Sequence, residues 1–99
     1  MRLTDLHPKF LALSDGRAGC GVQCDCPCGN PACLPLFVPF LNPLDGGPPF
    51  HVSATGEPWG WQRTGDTFET LTLTPSIQRM DKDGCRWHGF ITNGEVTGA

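Results

Sequence analysis

Five of the six cysteines in this chain fall between Cys20 and Cys33, and the sixth, Cys85, lies far downstream. Thiols crowded this closely cannot staple distant parts of a fold to one another as disulfides. As thiolates they repel one another unless a cation neutralises them, and Zn²⁺ does so with four soft ligands in a tetrahedron. The densest part reads Cys24-Asp25-Cys26-Pro27-Cys28-Gly29-Asn30-Pro31-Ala32-Cys33. Pro27 fixes its own φ and keeps Asp25-Cys26 extended, so Cys26 and Cys28 sit on a stiff ribbon. Gly29 allows the tight turn that a metal knuckle needs. Cys26, Cys28, Cys33 and Cys85 are therefore taken as the tetrahedron, with Cys85 tying the C-terminal half to the ribbon. Cys24 and His88 are the competing ligands.

A framework of three disulfides is the alternative, but nearly every pairing would fall within the short Cys20–Cys33 window. Met1 to Phe10 holds Arg2, Asp5, His7, Pro8 and Lys9, so no secretory apolar segment precedes the cluster. A reducing compartment is expected, where dense cysteines serve as metal or redox sites.

Ninety-nine residues make one small domain. A chain of this length buries only about two-thirds of its unfolded surface. Bound metal would add on the order of 10 kcal/mol to such a fold. The expected plan is a single zinc-stapled domain over 1–99, with an N-terminal segment (1–19), a cysteine knuckle (20–33) and a Gly/Pro-rich loop (41–58). Ten prolines and thirteen glycines exclude long helices. A net charge of −3 without a Lys/Arg run argues against nucleic-acid binding. No apolar run is long enough to span a membrane.

Along the chain, Met1 to Leu13 suits a strand or one helical turn broken at Pro8. Ser14 to Gly19 reads as a turn, and Gly21 to Cys26 as a short strand into the knuckle. Leu34 to Phe40 is β-like, but its prolines confine it to an edge or an irregular path. Asn42 to Phe50 is loop. Trp59 and Trp61, flanking Gly60, suit core aromatics better than a binding platform. Thr67 to Thr74 is the clearest strand. Thr74 as N-cap and Pro75 at the first helical position predict a short helix reaching Met80 to Lys82, ended by Asp83-Gly84. Asn93-Gly94 predicts a C-terminal hairpin. The expected fold is α+β: a small β-rich domain with a zinc knuckle, one short helix and that hairpin.

A second constellation joins Ser76 and His88. In the first turn of a helix that follows a strand, Ser76 would meet unpaired backbone N–H groups that stabilise a developing negative charge. It would still need a general base, and His88 is the residue poised for that near neutral pH. Two plainer readings compete: Ser76 as a capping residue, and Cys85-Arg86-Trp87-His88 as a C-x-x-H metal pair that consumes the histidine.

Three motifs stand together here: Cys26-Pro27-Cys28-Gly29, Thr72-Leu73-Thr74-Pro75-Ser76-Ile77, and Cys85-Arg86-Trp87-His88. With Asn93-Gly94-Glu95-Val96 they cover most of Val22 to Val96. In these the chain resembles a family of small zinc-binding domains of bacteria and tailed phages, long without an assigned function. Its motifs are C-P-C-G, T-L-x-P-S-I and C-x-x-H. Members encoded in bacterial ubiquitination-like operons are zinc-containing serine peptidases that cleave ubiquitin-like proteins. Their active site is arranged like that of eukaryotic ubiquitin-specific cysteine proteases. The resemblance implies that the knuckle cysteines and Cys85 bind zinc, that Ser76 is the nucleophile and that His88 is the base. The chain departs from the family in two places. Asn30, rather than a third cysteine, follows C-P-C-G, so Cys33 takes that place. Gln78-Arg79 and Trp87 stand where the family often reads Gly-Asn and Ser.

Three functions compete at this point. The first is a zinc-stapled serine hydrolase acting on a peptide, isopeptide or ester bond of a ubiquitin-like protein. The second is a non-catalytic zinc module, a phage accessory or virion component. The third is a redox or metal-handling protein using Cys20 and Cys24. The expected partner is a protein, either ubiquitin-like or a phage structural protein, with no nucleic acid and no membrane. The expected location is the bacterial host cytoplasm, or the virion for a phage structural protein.

Overall fold

β-Branched and aromatic residues alternating with polar ones give this chain strands, and its prolines and glycines keep them short. The computed structural model describes residues 1–13, 16–30, 32–49, 52–79 and 85–98. Among these residues seven strands run in chain order: β1 (Lys9–Ala12), β2 (Ala18–Cys24), β3 (Leu36–Pro39), β4 (Gln62–Thr64), β5 (Thr72–Gln78), β6 (His88–Thr92) and β7 (Glu95–Gly98). They form two antiparallel sheets, ordered β1-β2-β3 and β4-β5-β6-β7. Among the described residues the only helical element is a 3₁₀ turn, Leu3–Leu6. The fold is thus mostly β.

Backbone links outside the ladders tie the parts together. Trp61 donates its N–H to the Pro39 carbonyl and accepts from the Leu41 N–H, both at 2.9 Å, in a parallel bridge between residues 40 and 61. Gly60 permits this approach, since a Cβ there would stand 2.9 Å from the Pro39 oxygen. At the far edge, Met1 to Leu3 run along β7, with Val96 N–H to Met1 C=O and Leu3 N–H to Gly94 C=O at 2.7 Å. The chain then turns through Leu3–Leu6, and Leu3 and Leu6 enter the core between the sheets. Both N-terminal expectations are met, one on each side of Pro8.

The core holds Leu3, Val22, Val38, Phe40, Leu71, Leu73, Ile77 and Ile91. Strand alternation puts them there. In β6, Gly89 and Ile91 are buried while His88, Phe90 and Thr92 are exposed. The last two strands form the expected hairpin, with φ of 48° at Asn93 and 74° at Gly94, the left-handed pair of a type I′ turn. β3 lies at the edge of its sheet, its ladder among the described residues running to β2, as its prolines require. β2 begins earlier than expected and ends at Cys24.

Two expectations fail. Thr67 to Thr70 is a turn, not a strand. Thr67 and Thr70 hydroxyls meet at 2.8 Å and Thr70 N–H reaches the Thr67 carbonyl at 3.2 Å, so the threonines satisfy the backbone locally. The helix starting at Pro75 is instead the second half of β5, where pairing with β6 overrides the local helix-start signals. Its expected end, Met80 to Gly84, lies outside the described residues, as do Ser14, Asp15 and Phe50 of the loop expectations.

The loop over 42–49 carries no strand, as expected, and is tied down by charge. Arg17 donates to Asp45 through Nε at 2.8 Å and to the Pro48 carbonyl at 2.7 Å. The Arg17 hydrogen bonds, then the Gly47 N–H, pull Asp45 from 3.8 to about 2. A carboxyl depressed in the folded state stabilises it fully above its unfolded value and loses that contribution as pH falls toward the folded value. Asp45→Asn should therefore melt below the parent near pH 6, and the gap should narrow between about pH 4 and pH 2. Thermal denaturation across that range checks it, and equal melting temperatures near pH 6 would contradict it.

Candidate active site and metal centre

β2 carries Cys24 inward and hands the chain at Asp25 to a turn that keeps Cys26 buried and exposes Cys28. Gly29 N–H bonds the Cys26 carbonyl at 3.2 Å, and the φ of 81° at Gly29 folds the ribbon back. The Asn30 side chain accepts from Ala32 N–H at 3.0 Å, while Cys33 N–H reaches the Asn30 carbonyl at 3.1 Å. Asn30 therefore builds the turn that carries the chain across to Cys33. Cys85 arrives from the other sheet, just ahead of β6.

These four thiols meet. Sγ atoms of Cys28 and Cys33 are 3.4 Å apart, those of Cys26 and Cys85 3.5 Å, and those of Cys28 and Cys85 3.7 Å. All four lie within 4.8 Å of one another. A tetrahedron with metal–sulfur bonds of about 2.3 Å has edges of about 3.8 Å, so the donor set fits one. The thiols also feel one another's charge. The Asn30 N–H, followed by the thiols of Cys26 and Cys33, draws Cys28 down to about 7. Cys33 is pushed up to about 12 by Cys28 and then Cys85. Burial raises Cys26. A central cation would reverse the upward shifts by taking all four as thiolates and releasing their protons.

Cys20 and Cys24 lie apart from this group and are buried. Burial, then the Asp25 charge, pushes Cys24 up to about 12, so it is a protonated core thiol. Neither offers the accessible thiolate that a redox function needs.

His88 is not among the four gathered donors. Its Nε2 instead lies 3.0 Å from Ser76 Oγ. The contact depends on an irregularity in β5. Leu73 pairs with Ile91 and Ile77 with Gly89, so Thr74, Pro75 and Ser76 together face the single residue Phe90. Proline lacks the N–H that a regular ladder would use, and this bulge makes no use of one. The bulge brings the half-buried Ser76 to the exposed His88, which pairs with Gln78 two residues further on. Phe90 stands next along β6, its ring 6.3 Å from the imidazole.

No helix begins at Ser76, so the expected cradle of helix N–H groups around its hydroxyl is absent. Sequence reasoning also missed Trp61, whose indole N–H donates to the Ser76 carbonyl at 3.2 Å. It had assigned that residue to packing, and the ring does pack partly buried against the core. The proline within a strand-forming run was the available sign of the bulge. A groove of about 380 Å³ opens between β3 and the end of β5, and neither Ser76 nor His88 lines it. Phe37, Trp59, Trp61 and Ile77 line it, with Trp59 partly exposed.

These elements define a small β domain that sets a four-thiol cluster beside a serine–histidine contact. The chain belongs to the family described as bacterial ubiquitination-like system serine protease (BubE), whose model matches residues 2–99. No curated protein and no solved structure matches it. No helix among the described residues is long and apolar enough to cross a membrane.

The cluster geometry predicts separate fates for the cysteines. Cys26→Ser or Cys85→Ser should lose bound metal and much of the folded population. Cys24→Ala should keep full metal content at a cost of about 1–2 kcal/mol from the cavity it leaves. Metal analysis with thermal denaturation of each variant checks this, and loss of metal from Cys24→Ala would contradict the assignment.

Proposed function

We propose that this chain is a zinc-stapled serine peptidase that cleaves a peptide, isopeptide or ester bond of a ubiquitin-like protein. The observation that carries the proposal is the 3.0 Å contact between Ser76 Oγ and His88 Nε2. At that separation the imidazole can take the hydroxyl proton as Ser76 attacks a carbonyl carbon. It then returns the proton to the departing amine or alkoxide, leaving an acyl group on Ser76. Water, deprotonated by the same nitrogen, releases that group. Membership of a serine protease family supports the reading.

Zn²⁺ held by Cys26, Cys28, Cys33 and Cys85 would supply folding energy rather than chemistry, because four thiolates leave no open coordination position. The imidazole is thereby left to the serine. We place the protein in the bacterial cytoplasm, where thiolate ligands stay reduced.

A fluorophosphonate probe tests the assignment. It should label the parent at Ser76 and fail on Ser76→Ala. His88→Ala should retain its metal and fold, while labelling falls by about 10²-fold or more. The parent should also release the C-terminal fusion from a ubiquitin-like protein. If His88→Ala loses its metal, the histidine is structural. If the folded, metal-loaded parent is not labelled, the non-catalytic zinc module is the better account.

A further inference from the structure

We infer that Trp61 is a positioning residue for the nucleophile, holding the Ser76 backbone in place of a missing strand. The inference rests on the proposed role of Ser76. β4 pairs with β5 only from Thr72 to Thr74, so its ladder stops at Gln62 opposite Thr74, just short of the serine. On the other side, Arg79 N–H bonds the Trp87 carbonyl. The alternation of an antiparallel ladder then turns the polar groups of Ile77 toward β6 and those of Ser76 and Gln78 away from it. The Ser76 carbonyl therefore points to a side where, among the described residues, the β4 ladder has already ended. The Trp61 indole N–H fills that position at 3.2 Å.

Trp61 is itself fixed. Its backbone N–H and C=O are both committed to the first sheet, at Pro39 and Leu41. Its ring packs partly against the core and meets Trp59 edge-on, with centroids 5.2 Å apart. The side chain is thus a strut from the first sheet to the backbone of the nucleophile. His88 is held separately, three residues after Cys85 of the thiol cluster. Ser76 lies in a bulge, where the ladder to β6 does not fix it, so without the strut the serine could drift from the imidazole. A displacement of about 1 Å at a reacting group can cost about 10²-fold in rate.

The test removes the donor and keeps the shape: Trp61→benzothienylalanine, with Trp61→Phe as its genetically encoded companion. Two quantities are read on the full metal-loaded chain. One is the fluorophosphonate labelling rate across pH, and the other is amide exchange over residues 75–79 against residues 88–98. The labelling plateau should fall about tenfold with its midpoint pH unmoved. Exchange over 75–79 should rise about fivefold, as expected for loss of one net hydrogen bond, with 88–98, metal content and melting temperature nearly unchanged. The positioning role is overturned if the donor-free isostere leaves both labelling and local exchange as in the parent. It is equally overturned if exchange rises alike in both segments, the mark of a general packing residue. A parent that is never labelled removes the catalytic reading, and local exchange alone then decides whether the indole holds Ser76.

Discussion

The convergence of four cysteine sulfurs, three from the knuckle and one from just ahead of β6, is the constraint on which the rest of this structure depends. Cys26 and Cys85 are 59 residues apart along the chain, yet their sulfurs lie 3.5 Å from each other. Closing a loop of that length costs about 4 kcal/mol of chain entropy, comparable to much of what a small core leaves as net stability. Protonated thiols in contact return little of that. A divalent cation bound as proposed would exchange the protons for four metal–sulfur bonds and close the loop with energy to spare. The first sheet, which enters and leaves the knuckle through β2 and β3, would thereby be tied to the start of β6 in the second.

That tie has a local consequence at the serine–histidine contact. His88 opens β6 three residues after Cys85, so the cluster sets where the imidazole stands. Ser76 is placed from the other direction, by the bulge in β5 and by the indole bond from Trp61. The two side chains meet at 3.0 Å because both supports lead back to the same pair of sheets. The contact itself is exposed and polar, and one hydrogen bond in water would not hold it closed. Its geometry is carried by covalent and backbone connections around it.

The parts legible in the sequence were those whose chemistry is local and unambiguous. Thiol spacing picked out Cys26, Cys28, Cys33 and Cys85, because few arrangements other than a metal site accommodate such density. Asn93-Gly94 specified its hairpin, since few residue pairs adopt two left-handed conformations in succession. Proline confined β3 to an edge. The second half of β5 was not legible in the same way. Thr74-Pro75-Ser76 carries the marks of a helix start, and the same residues equally suit a bulged strand, where a proline needs no ladder partner. Only the pairing with β6 distinguishes the two, and that partner lies beyond any local window. Thr67 to Thr70 misled for a related reason. Threonine favours strands through its branched side chain, but its hydroxyl can also close a turn. The role of Trp61 depends on where the β4 ladder stops, which no spacing in the sequence reports.

The count of thiols finally bears on the chemistry through His88. Cys85-Arg86-Trp87-His88 has the spacing of a metal-binding pair, and a histidine bonded to a cation cannot also accept a proton from serine. Which role it takes depends on whether the coordination sphere is filled without it. Cys33, brought over by the Asn30 turn, supplies the fourth sulfur. A tetrahedral ion with four thiolates has no vacancy for imidazole, and Nε2 of His88 is directed at Ser76 instead. Were Cys33 lost, an ion bound as proposed would have three sulfurs, and the histidine three residues after Cys85 would be the natural candidate to replace the fourth. On the proposed reading the knuckle turn would do more than complete a staple, since the fourth thiol would keep the histidine available to the hydroxyl.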